Sequence, residues 1–247
     1  MSEATPDTFV TAGFLVIGDE ILSGRTKDKN IGFLADYLTA IGIDLKEVRV
    51  VPDETDEIVA AVNALRAKHT YVFTSGGIGP THDDITADSI AAAFGVTIDI
   101  DPRARAILAA HYPEGQLTDA RLRMARIPDG ADLIENPVSK APGFRIGNVH
   151  VMAGVPAIMQ AMMDAIAPTL KTGKKLMSRT VDADVPESRV ADRIRAIQEN
   201  YPETLIGSYP RTNDGRFTTQ IVIRARDEAQ LEMATSAVET AVREVTA

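Results

Sequence analysis

Tyr71-Val72-Phe73-Thr74-Ser75-Gly76-Gly77-Ile78-Gly79-Pro80-Thr81-His82-Asp83-Asp84-Ile85-Thr86 runs from an apolar strand through a glycine-rich turn to the threshold of a helix. The spacing predicts a strand over Tyr71–Thr74 and a helix over Ala87–Phe94, stopped by Gly95. Gly76, Gly77 and Gly79 free the backbone to take positive φ and to approach a ligand closely. Successive N–H groups in such a loop, followed by a helix N-terminus, make a cradle for an anion. The same residues would also serve as a plain strand-to-helix turn, with Asp84 or Thr86 as the cap. No Gly-Lys-Ser/Thr follows, so this is not a Walker A loop, and the third glycine of a dinucleotide fingerprint is missing.

The pattern repeats on the N-terminal side. Thr11–Ile17 is a buried-strand run that ends in Gly18-Asp19-Glu20, and Asn30–Leu38 carries Ile31, Leu34, Ala35 and Leu38 at helical spacing before Gly42. Ile43–Val51 suggests a second strand, Pro52-Asp53-Glu54-Thr55 a turn, and Asp56–Lys68 a helix. Short strand–helix alternation of this kind predicts a mostly parallel α/β sheet with helices on both faces. Ligands then sit beyond the carboxyl ends of the strands, where the loops 18–29, 52–56 and 75–86 would converge. Further on, Asp101-Pro102 reads as an N-cap and first helical residue opening two helical pieces over 101–126. The segment 134–151 carries Pro137, Pro142, Gly143 and Gly147 and predicts a hairpin-like excursion, and Pro156 opens a helix to about Leu170.

Composition shifts at Lys171-Thr172-Gly173-Lys174-Lys175. Beyond it the order strand, helix, strand, Asn213-Asp214-Gly215 turn, strand, helix predicts a small α+β domain. The expected organisation is a large domain over 8–172 and a small one over 174–247. The small domain lacks a basic stripe, which favours a structural or dimerisation role over RNA binding, and a homo-oligomer is expected.

The chain has 247 residues, a net charge of −9 and no cysteine. Disulfides and cysteine–zinc sites are thereby excluded. An acidic surface repels nucleic-acid backbones, so no nucleic-acid partner is expected. No apolar run approaches the roughly 20 residues that span a bilayer, and the polar opening is unlike a secretory signal, so the expected location is cytoplasmic and off the membrane.

An anion must therefore be held by local devices. Asp83 and Asp84 lie at the end of the glycine loop, and Glu20 and Asp53 lie on the two loops expected beside it. Carboxylates mixed with phosphate oxygens are the usual company of Mg²⁺, so the four acids are candidate metal ligands. Taken singly, Asp53 could be only a helix cap and Asp19 or Glu20 a solvated turn. Arg25, Lys27, Lys29, Lys140 and Arg145 are the available cations; His82 is the one histidine near the loop. No Gly-x-Ser-x-Gly elbow is present.

The stretch Ser75–Thr86 resembles the signature of the MoaB/Mog molybdopterin-binding family, in the Thr-His-Asp-Asp form of its CinA branch and of the related FAD synthase domain. Gly18-Asp19-Glu20-Ile21-Leu22-Ser23-Gly24, Asp28 with Asn30, Pro52-Asp53, Asn136-Pro137-Val138, Ala141-Pro142-Gly143-Phe144 and Gly154-Val155-Pro156 match the same family. Residues 174–247 resemble the CinA middle domain; the nicotinamide-mononucleotide deamidase domain of that branch is not expected here. The resemblance implies a three-layer MoaB/Mog-like fold with Asp53 and Asp84 as the essential acids. It places the glycine-rich loop at the pterin or nucleotide site, so Ser75, Gly76, Gly77, Gly79, Thr86, Asn30 and Gly154 are expected at the ligand. Lys140, a departure from the family, is expected to balance phosphate charge there, and the converging acids Glu20, Asp53, Asp83 and Asp84 are expected near a metal. The cation would be Mg²⁺ or another divalent ion, with K⁺ in addition. The activity implied is pyrophosphatase action on ADP-ribose- or FAD-like dinucleotides. Molybdopterin binding or adenylylation, and ligand binding without catalysis, stand as alternatives. Two departures from the family pattern stand out: Met152-Ala153-Gly154 replaces Leu-Pro-Gly, and Ser139-Lys140 replaces Gly-Thr.

Overall fold

The computed structural model describes residues 9–213 and 216–246, apart from the side chain of Asn213. The turn expected at Asn213-Asp214-Gly215 and the residues before Phe9 thus lie outside what is described, wholly or in part. Two compact units divide the chain between Gly173 and Lys174.

The first unit is built from β1 (Thr11–Ile17), α1 (Asp19–Leu22), α2 (Asn30–Ile41), β2 (Asp44–Val51), α3 (Thr55–Lys68), β3 (Tyr71–Ser75), α4 (Thr86–Phe94), β4 (Ile98–Ile100), α5 (Pro102–His111), α6 (Asp119–Leu122), β5 (Arg126–Pro128), β6 (Asp132–Ile134), β7 (Gly143–Ile146), β8 (Val149–Met152) and α7 (Pro156–Ile166). Its sheet has the order β2-β1-β3-β8-β7-β6. The first four strands are mutually parallel, and β7 and β6 extend the edge antiparallel. A side ladder pairs β4 with β5.

Alternation along the strands makes the layers. Leu15 and Ile17 of β1 join Ile58, Val62 and Leu65 of α3 and Ile90 of α4 on one face. Ala12, Phe14 and Val16 point the other way, onto Leu34 and Leu38 of α2 and the Met159, Met162 and Met163 cluster of α7. Phe14, Leu15, Leu34, Leu38, Ile58 and Leu65 are fully buried, each burial being worth about 1.5–3 kcal/mol. The fold is therefore the expected three-layer α/β sandwich. At α5 the sequence signal holds in detail: Asp101 accepts from the N–H groups of Arg103 and Ala104, with Pro102 in the first turn.

The second unit contains β9 (Met177–Ala183), α8 (Ala191–Asn200), β10 (Leu205–Asn213), β11 (Arg216–Ala225) and α9 (Glu228–Thr246). Its antiparallel sheet has the order β10-β11-β9. Ile221 and Ile223 of β11 pack on Leu231, Ala234 and Val238 of α9. Among the described residues no helix is long and apolar enough to cross a membrane.

Candidate functional site

Because β1, β2, β3 and β8 are parallel, their carboxyl ends meet at one edge. Gly18 N–H bonds the Val51 carbonyl, and Gly76 N–H bonds that of Met152, which ties the four strand ends together. The glycine loop turns sharply there. Gly76 has φ +112° and Gly77 +67°; a Cβ at Gly76 would lie 2.1 Å from the Ile17 carbonyl oxygen. At Gly79 a Cβ would press to 2.6 Å from Asp84 Oδ2, so the third glycine makes room for a carboxylate. Among the described residues, the N–H groups of Gly77, Ile78 and Gly79 donate to no carbonyl or side chain. These three residues are only partly buried, so their N–H groups are open to water or to a ligand.

Those donors border a cleft of about 500 Å³. Glu20, Asp84, Asn136 and Ser139 contribute its polar side chains together with Thr26; Ile78, Pro80, Met124, Val155, Pro156 and Ile158 contribute its apolar wall. The two charged side chains on the lining are both carboxylates, and no lysine or arginine lines it.

Each expected site residue has a definite place. Asp84 Oδ2 accepts from Thr81 N–H at 2.8 Å and from the Thr81 hydroxyl at 2.5 Å, which fixes the turn and aims the acid at the cleft. Neither it nor Thr86 caps α4, which opens without a side-chain cap. Glu20 reaches the cleft from α1. Asp53 does not cap α3 either; its Oδ2 accepts from Asp19 N–H at 3.0 Å. Burial raises the Asp53 carboxyl above its usual range, and the charges of Asp19, Glu20 and Asp83 add to this against the bond from Asp19. Asp83 is exposed on the same turn. Asp53 thus lies within electrostatic reach of Glu20 and Asp83, and Glu20 shares the cleft with Asp84, yet among the described residues no three acids or histidines stand close enough to cage a metal.

Four expected ligand residues sit behind the cleft instead of on it. Thr86 is fully buried and donates to the Gly76 carbonyl at 2.9 Å, so it props the loop from beneath. Asn30 Nδ2 donates to Ser75 Oγ at 2.7 Å and to the Gly154 carbonyl at 2.8 Å. It pins the glycine loop to the turn that opens α7, where Gly154 does line the cleft. Lys140 is off the lining and Ser139 is on it; Lys140 has φ +62°, the one positive φ outside glycine among the described residues. Asn136 explains that loop. Its Nδ2 donates to Ser139 Oγ and the Ala141 carbonyl, while its Oδ1 accepts from the N–H groups of Val138 and Ser139.

Met124, Asn136 and Ser139 line the cleft without being among the ligand residues expected from sequence, although Asn136-Pro137 matches the family pattern. Met124 follows a four-residue helix and precedes a three-residue strand, elements too short to show periodicity.

A family model described as "probable molybdopterin binding domain" matches residues 13–172, and one described as "FAD synthase, middle domain" matches 175–246. A protein of Aeropyrum pernix is 33% identical over 237 residues, which cover 90% of this chain and 88% of the relative. A "probable FAD synthase" of Caenorhabditis briggsae is 30% identical over 90% of this chain, which spans 47% of that longer protein. The crystal structure of a CinA protein of unknown function from Thermoplasma acidophilum is 37% identical over 65% of this chain and 98% of that one, with a TM-score of 0.62. The chain belongs to the MoaB/Mog-like molybdopterin-binding-domain family, with CinA among its structural neighbours and an FAD-synthase-type middle domain following the first unit.

Proposed function

We propose that the chain is a metal-dependent pyrophosphatase that splits the phosphate–phosphate bond of an ADP-ribose- or FAD-like dinucleotide. One observation carries the reading. The cleft offers free N–H donors from Gly77 to Gly79 but faces them with Glu20 and Asp84, and no basic side chain lines it. Donors of that kind suit a phosphate, and carboxylates repel one unless a cation stands between. Few, hard oxygen ligands suit Mg²⁺, which keeps several waters and shares its coordination with substrate phosphates. Glu20 and Asp84 would hold the ion, and Asp53 would fix the Glu20 turn through Asp19. The metal would supply charge neutralisation on phosphoryl oxygens and an activated water. The apolar wall around Ile78, Met124 and Ile158 would take a ring.

The FAD synthases among the relatives make FAD the first substrate to try, with ADP-ribose beside it. Incubation with either and Mg²⁺, Mn²⁺ or Co²⁺, with and without K⁺, should release AMP, and EDTA should stop it. Asp84→Asn and Asp53→Asn should each lower the rate by at least about a hundredfold. The folded protein holds the Asp53 proton more tightly than the unfolded chain, so the charged form detracts from stability above the folded pKa. Asp53→Asn should therefore leave the Tm at pH 7 unchanged or raise it. Absence of AMP with every metal and substrate would overturn the hydrolase reading. The family's name supports a second reading, binding or adenylylation of molybdopterin. A fluorescent pterin that co-purifies with the protein would favour it.

A further inference from the structure

Arg123 borders the glycine loop but does not line the cleft. It borders a void of about 10 Å³ together with Gly77, Ile78, Gly79, Asp84, Asp88 and Arg126. Gly77, Ile78, Gly79, Asp84 and Met124 border both this void and the cleft, so Arg123 is separated from the cleft by residues of its own wall.

The neighbouring arginines are all engaged. Arg126 holds Asp88 through two bonds of 2.7 and 2.6 Å, and Arg121 stacks on Tyr112 while donating to the Gln116 carbonyl. Arg123 differs. Its Nε is buried with no acceptor, its Nη2 reaches the Asp84 carbonyl only at 3.5 Å, and no described carboxylate pairs with it. A half-buried guanidinium without a counter-charge is costly. The void has room for one water at most, and a water would satisfy the N–H but not the charge.

We infer that Arg123 is a positioning residue of the cleft: from behind the Gly77–Asp84 loop it supplies the positive charge that the lining lacks and against which a phosphate binds. The unpaired state is then the ligand-free half of a pair. The two acids that border the same void are engaged elsewhere, Asp84 Oδ2 by Thr81 and Asp88 by Arg126, so Arg123 stays free to act across the loop. A charge at that remove, through a protein interior of effective dielectric about 20 or somewhat higher, changes anion affinity by about tenfold. The inference rests on the phosphate reading of the cleft.

Calorimetric titration with inorganic pyrophosphate in Mg²⁺ tests it on the full chain. Arg123→Met should weaken binding about tenfold without lowering the Tm, because an uncompensated charge is removed along with it. Arg123→Lys, which keeps the charge, should retain binding within about threefold, and the surface control Arg121→Met should leave affinity unchanged. If wild type binds and Arg123→Met binds equally well, the role of Arg123 is refuted and the phosphate cleft stands. If both Arg123 variants lose binding and Tm together, Arg123 is only structural and the inference is overturned. Failure of the wild type to bind pyrophosphate would remove the phosphate reading and this inference with it.

Discussion

Two loops at the same edge of the sheet treat their backbones in opposite ways. The 76–79 loop leaves three consecutive N–H groups without partners and bends through two glycines at positive φ. The 136–141 loop spends its polar groups internally, with Asn136 making four side-chain bonds and Lys140 N–H closing on the Asn136 carbonyl. Both border one cleft. The difference separates a surface built to bind from a wall built to hold its shape. Partly exposed donors are open to water or to a ligand, whereas a saturated loop keeps its position whether or not the ligand is there.

The largest effect is expected at Gly76. Alanine there would need a positive φ that side chains avoid, and its Cβ would meet the backbone oxygen of Ile17, which cannot rotate away. Gly76→Ala should cost about 3 kcal/mol in chemical denaturation and abolish pyrophosphate binding. A stable, binding-competent Gly76→Ala would show that the loop is not held in this conformation by the β1 end.

Asn136→Ala attacks the saturated loop. Asn136 is almost fully buried, and its loss would leave the N–H groups of Val138 and Ser139 and the carbonyl of Ala141 unpaired. The expected cost is about 2 kcal/mol, read as a lower midpoint at unchanged m-value. The 76–79 donors would survive, so weakened pyrophosphate binding should still be measurable, unlike in Gly76→Ala. Equal loss of binding in both variants would erase the distinction between the loops.

Much of this edge was legible in the chain. The alternation of Thr11–Ile17 and the short strand–helix periods give the parallel sheet, and a parallel sheet brings Glu20, Asp53 and Asp84 to one end without any knowledge of contacts. The strand-to-helix turn and the Asp101-Pro102 cap were local signals, and local signals translate directly. What stayed hidden was direction. Thr86 and Asn30 sit in the right motif but face inward, because one turn of helix decides whether a hydroxyl props a loop or meets a ligand. The β4–β5 ladder is three residues long on each side, and α1 is a single turn, so neither has a period to read. The antiparallel edge β6-β7-β8 showed in sequence only as a proline- and glycine-rich excursion; the pairing of β8 beside β3 is a long-range fact. Arg123 carried no signal at all, since an unpaired arginine looks like any other until its neighbours are placed.

The smallest expected effect falls on the residue where the saturated loop is itself under tension. Lys140 was expected at the ligand, and the structure sets it off the lining in the left-handed region, with φ +62°. That conformation costs an L-residue about 1 kcal/mol or more and a glycine almost nothing. The Asn136 bonds evidently impose it, since Lys140 N–H is drawn to the Asn136 carbonyl at 3.1 Å while Asn136 Nδ2 holds Ala141 on the other side. Lys140→Gly should therefore stabilise the protein by about 0.5–1 kcal/mol, the strain relieved being partly offset by the greater freedom of glycine in the unfolded chain. Pyrophosphate affinity should change by less than about threefold, because the lysine is not on the cleft wall. A loss of stability would mean that the Lys140 side chain, and not the Asn136 network, holds the turn. A large loss of affinity would move the lysine back to the ligand and dissolve the contrast between a loop that binds and a loop that braces.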